Sequence, residues 1–91
     1  MSFLYSVLLE YAGGTYVSQV VASSPKDALV KWTRQLDASV VWGMGKKSLE
    51  ILRDDMREET PVPLTGLNNI WCTDALIRGK GSTIHVVQTV Q

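Results

Sequence analysis

The chain has a single cysteine, Cys72, among its 91 residues, so no internal disulfide can form. This excludes the disulfide-stapled class of small secreted domains and fits a reducing compartment. There is also one histidine, His85. One cysteine and one histidine cannot assemble a standard structural zinc site. No metal and no cofactor are expected. Neither sign of charge is in excess, with 9 Lys+Arg against 9 Asp+Glu. A general electrostatic binder of nucleic acid needs a basic surplus to displace counterions, so nucleic-acid binding is not expected.

Long apolar runs are missing as well. No stretch approaches the roughly 18–20 apolar residues that span a bilayer. The opening MSFLYSVLLEY lacks the basic start and small-residue cleavage site of a secretory signal, and its apolar residues alternate as in a strand. The expectation is a cytoplasmic protein with no membrane association.

What is present is 45% hydrophobic residues, including three tryptophans. This composition predicts one folded α+β domain over residues 1–91. A chain of this size buries somewhat over about 60% of its unfolded surface, enough for one core.

Phe3 to Ala22 reads as two alternating runs around Gly13-Gly14. A turn at the two glycines sets Tyr11 opposite Tyr16, Leu9 opposite Ser18 and Val7 opposite Val20. One face then carries Phe3, Tyr5, Val7, Leu9 and Tyr11. The other mixes Leu4, Leu8, Val17 and Val21 with Ser6, Glu10 and Gln19.

Ser24-Pro25-Lys26-Asp27 is a helix start. Serine caps, proline suits the first helical position, and the acid three residues after the cap reaches back. Leu29, Trp32 and Leu36 recur at helical spacing, predicting a helix from about Pro25 to about Asp37 over the apolar face of the hairpin. Val40, Val41, Trp42 and Met44 should tuck under the domain edge. A second helix is predicted from Lys46 to Glu59 on the narrow stripe Leu49, Leu52, Met56, with Ile51 beside it and opposite-charge pairs Glu50–Arg53 and Asp54–Arg57. Thr60 to Leu64, with Pro61 and Pro63, reads as an extended connector.

Ile70 to Arg78 and Ser82 to Val90 form a second pair of runs. A two-residue turn at Gly79-Lys80 or Lys80-Gly81 puts Trp71, Thr73, Ala75, Ile77, Ile84, Val86, Gln88 and Val90 on one face. A one-residue slip would bury Asp74 and Arg78. The element order is therefore β-β-α-α-β-β, a four-stranded antiparallel sheet with two helices packed on one face.

Two features are functional candidates. On the far face of the second hairpin Cys72, Asp74 and His85 fall together. A carboxylate beside an imidazole near a thiol is the minimal kit of nucleophilic catalysis. It supports an alternative reading as a small hydrolase or ligand-binding domain. The competing reading is Cys72 as a small buried hydrophobe and Asp74–His85 as a surface pair. The second feature is an apolar patch of Leu4, Leu8, Val17, Val21, Ile70, Leu76 and Val87 on the outer sheet face, larger than a monomer readily exposes. It points to a small non-enzymatic binding protein, acting as a homodimer or as the immunity-type partner of another protein. Gly43 to Ser48 superficially suggests a phosphate loop but lacks the spacing of one, and a plain helix-starting turn explains it.

Overall fold

The computed structural model describes residues 2–41 and 43–89, so Trp42 and Val90 lie outside the described residues. The chain runs β1 (Phe3–Tyr11), β2 (Gly14–Ala22), α1 (Pro25–Gln35), α2 (Lys46–Glu58), β3 (Val62–Pro63), β4 (Ile70–Ile77) and β5 (Lys80–Gln88). The sheet is antiparallel with order β2-β1-β5-β4-β3. The first and last of these strands therefore pair at its centre.

Among the described residues there are five strands rather than four. The extra one is the proline connector, whose Val62 and Pro63 pair with Cys72 and Trp71. Leu64 N–H donates to the Ile70 carbonyl at 3.2 Å and closes this short edge. Its only proline has no N–H to give, which an edge strand tolerates.

Both hairpin turns sit one or more residues earlier than the glycine pattern implies. The first loop is Ala12-Gly13, with φ of 49° and 81°, so Tyr11 pairs with Gly14 and Leu9 with Tyr16. The second is Arg78-Gly79, with φ of 54° and 76°, so Ile77 pairs with Lys80. Both are tight turns that need two successive left-handed residues. A residue-glycine pair satisfies this when the first residue bears the small strain. Each displacement preserves parity, so the division of side chains between the two faces is the expected one.

Under the helices lie Tyr5, Val7, Leu9, Tyr11, Val20, Ala22, Ile77, Ile84 and Val86. Against them pack Leu29, Trp32 and Leu36 from α1 and its end, and Leu49, Leu52 and Met56 from α2. Trp32 is 1% exposed and fills the centre. Ile51 faces solvent, as a residue beside the stripe should. In the connector, Val41 and Met44 are buried, but Val40 is exposed because it closes a turn onto Asp37.

α1 begins as its sequence dictates. The Ser24 hydroxyl accepts from Asp27 N–H at 3.0 Å, with Pro25 at the first position. The Asp27 carboxylate accepts from Ser23 N–H at 3.0 Å and pairs with Lys31 at 3.3 Å. In α2, Arg57 meets Asp54 at 3.2 Å. Arg53 does not turn to Glu50. Its Nε donates to the Thr33 carbonyl at 2.8 Å and its Nη2 to Arg34 at 3.4 Å.

Candidate functional site

The register defines the helix-free face as rungs across the sheet. One runs Val17, Leu8, His85, Cys72, Val62 from β2 to β3. The next runs Gln19, Ser6, Val87, Ile70, and on the other side Thr15, Glu10, Thr83, Asp74. Val21 and Leu4 pair at one end of the β1–β2 ribbon, and Leu76 lies beyond Asp74 on β4.

All seven residues of the expected patch lie on this face, and neither α1 nor α2 covers it. Val17 is 62% exposed, Val21 57% and Leu76 66%, while Leu4, Leu8, Ile70 and Val87 are half-buried by their neighbours along and across the strands. Val62, 59% exposed, extends the patch at its β3 end. It was illegible in the sequence because its strand is two residues long and takes its register from Cys72 and Trp71 of β4.

Cys72, Asp74 and His85 also share the face, but not in the order a triad requires. Cys72 stands directly opposite His85, and Asp74 stands opposite Thr83, diagonal to the imidazole. No hydrogen bond links any two of the three side chains among the described residues. A triad needs the acid on the imidazole and the imidazole on the nucleophile. A groove of about 550 Å³ between α2 and β4–β5 is lined by Asp55, Glu59, Asp74, Leu76, Ser82 and Thr83. It takes in Asp74 but neither Cys72 nor His85. Among the described residues no group of three His, Cys, Asp or Glu side chains is placed to hold a metal ion.

A second groove, about 540 Å³, follows the α1–α2 connector past Leu36, Asp37, Ser39, Met44, Lys46 and Arg53. Gly45 caps α2 without a side chain, and Lys46 and Lys47 point to solvent. The glycine-lysine stretch is thus an ordinary helix start. In the same connector, Asp37 accepts from the Ser39 hydroxyl at 2.7 Å and its N–H at 2.9 Å, which holds its carboxyl below the usual range. Hydrogen bonding from Ser23 and the nearby Lys31 lower Asp27 likewise. Burial, and to a lesser degree the Asp27 charge, push the Tyr5 phenol up.

Comparisons of this chain with protein-family models, curated proteins and solved structures find no match. No helix among the described residues is long and apolar enough to cross a membrane.

Proposed function

We propose that the chain is a small non-enzymatic interaction protein whose helix-free sheet face is the working surface, either in a homodimer or as the immunity-type partner of another protein. The observation that supports this reading is the exposure of Val17, Val21 and Leu76 on a face whose centre is Leu8, Val87 and Ile70. Burying such a patch removes about 25 cal/mol for each Å² of apolar area taken from water. Polar positions interrupt it: Ser6, Gln19, Glu10, Asp74 and His85 give a partner places to be read rather than merely greased. The balanced charge argues against nucleic acid as that partner, and the lone half-buried Cys72 suits a reducing, cytoplasmic setting.

The test is affinity capture with the full chain, alongside Leu8→Asp and Leu76→Asp. A partner, or a second copy, held by the parent chain and lost from both folded variants supports the reading. Capture unaffected by either substitution would sink it.

A further inference from the structure

The two edges of the sheet are built differently. At the β3 end the edge is short, carries Pro63, and gives way to Asp74 and Leu76, which flank a groove lined by Asp55 and Glu59. These are the devices that keep a sheet edge from pairing with another chain: brevity, proline and charge. The β2 edge has almost none of them. Gly14 to Ala22 is nine residues long with no charged residue and no proline, and its register against β1 is unbroken by a bulge.

Backbone polarity along β2 follows from the turn. In a two-residue hairpin the residues flanking the loop, here Tyr11 and Gly14, form the closing hydrogen-bonded pair, and the pattern alternates from there. Gly14, Tyr16, Ser18, Val20 and Ala22 therefore bond to β1. The N–H and C=O groups of Thr15, Val17, Gln19 and Val21 point outward. Two contacts agree with this phase. The Leu4 carbonyl is turned to β5, where it accepts from Thr89 N–H at 2.8 Å, and the Val21 carbonyl accepts from Lys31 Nζ at 3.3 Å on the outer side. Among the described residues of β2, Lys31 reaches the Val21 carbonyl alone. Thr15, Val17 and Gln19 are left as three consecutive outward-facing residues.

We infer that this edge pairs antiparallel with β2 of a second copy of the chain, joining two five-stranded sheets into one. With Val21 held by Lys31, the free stretch is centred on Val17, which sets the two-fold axis there. Val17 then opposes Val17 of the second copy, Thr15 opposes Gln19, and Tyr16 opposes Ser18. Parity keeps outer-face residues beside outer-face residues, so both pairs of helices lie on the same side. The Val17–Val17 pair and the two symmetry-related Thr15–Gln19 pairs exchange about six backbone hydrogen bonds, while Tyr16 and Ser18 stay bonded to β1. No like charges meet, because the stretch has none and the chain is neutral overall. The inference shares with the proposed function only the idea of association: it concerns the backbone of one edge, not the apolar face.

Light scattering from about 10 μM to about 1 mM spans the range of weak specific association. The parent chain should move from monomer to dimer, and the amides of Thr15, Val17 and Gln19 should gain protection from hydrogen exchange with concentration. Val17→Pro removes an outward N–H that no strand of its own sheet uses, so it should keep the circular dichroism of the parent and weaken dimerisation by at least about tenfold. Val17→Thr keeps the N–H and should dimerise nearly as the parent does. Should Val17→Pro unfold, exchange at the three amides of the parent decides alone. A parent chain monomeric throughout overturns the inference. So does a dimer that survives in folded Val17→Pro, or one lost in Val17→Thr or Leu76→Asp but not in Val17→Pro, which would assign association to the face instead.

Discussion

Lys26 and Arg53 cap each other's helices. Lys26, in the first turn of α1, donates to the Met56 and Arg57 carbonyls at 2.8 and 2.7 Å and also to the Glu59 carbonyl, at the end of α2. Arg53 of α2 donates to the Thr33 and Arg34 carbonyls at the end of α1. The last carbonyls of a helix have no partner within it and carry its negative dipole end. Each cation satisfies both needs and pins two antiparallel helices together over the sheet. Lys26→Met should cost about 1–2 kcal/mol, the range for charge-assisted hydrogen bonds at a partly buried helix end. In a domain of this size that lowers Tm by about 4–8 °C per kcal/mol. An unchanged melting curve would show the contacts to be idle.

Acid should weaken the fold through Asp27. Hydrogen bonding from Ser23 and the charge of Lys31 hold its folded carboxyl below its ordinary value. A lowered carboxyl stabilises the folded state at pH above the unfolded value, near about 3.9, and that contribution fades as pH falls through the folded value. Denaturant midpoints between about pH 6 and 2 should therefore decline below about pH 4, less steeply in Asp27→Asn. Asp37, exposed and held by Ser39, shifts in the same direction. Tyr5 works the other way: its raised phenol stabilises below about pH 10 and that contribution is lost as pH climbs further. Tyr5→Phe should flatten the alkaline limb.

The helices were legible in the sequence because their signals are local. Ser24-Pro25 and the Leu29, Trp32, Leu36 stripe act within one or two turns of themselves. The hairpin turns were not, since Gly13-Gly14 advertises a glycine turn that Ala12-Gly13 actually makes. Gly14 instead begins β2, where a Cβ would stand 3.1 Å from the Tyr16 ring. The close approach of that ring, rather than the turn, is what Gly14 accommodates. β3 was hidden for another reason. Two residues carry no periodicity, and their pairing is dictated from β4 across a loop. The faces survived these misplacements because strand parity is insensitive to a shift of two in pairing, so the seven patch residues share one face, and Asp74 stands diagonal to His85 on it.

The turn residues supply a second test. Ala12 holds φ at 49° in a position where asparagine is the favoured residue. Ala12→Asn should stabilise by about 0.5–1 kcal/mol, because asparagine enters left-handed geometry at lower cost. Arg78, at φ 54°, occupies the equivalent place in the second hairpin, but its Nη1 donates to the Gly43 carbonyl at 2.8 Å and ties the turn to the α1–α2 connector. Arg78→Asn should therefore gain less than Ala12→Asn. Equal gains from the two would show that the Arg78 contact contributes nothing.

Core and face should separate in energy. Leu52 is fully buried between α2 and the sheet, whereas Leu76 is 66% exposed. Leu52→Ala should cost about 2–5 kcal/mol, a large fraction of the total for so small a domain. Leu76→Ser should stay within about 0.5 kcal/mol. A large loss of stability at Leu76 in the isolated chain would mean that the helix-free face is already covered, which would remove the basis for giving it to a partner.

Cys72 offers the sharpest check on the catalytic alternative. Its side chain faces His85 across β4–β5, half-buried, with no hydrogen bond between them. A nucleophilic cysteine owes its reactivity to a basic neighbour in contact with it. Alkylation of the native chain should therefore proceed at nearly the same rate in His85→Ala, changing by less than about threefold, and Asp74→Asn should be equally silent. A tenfold or greater slowing in His85→Ala, with a matching effect of Asp74→Asn, would establish a working relay that the register does not provide. It would also move the function from recognition to chemistry.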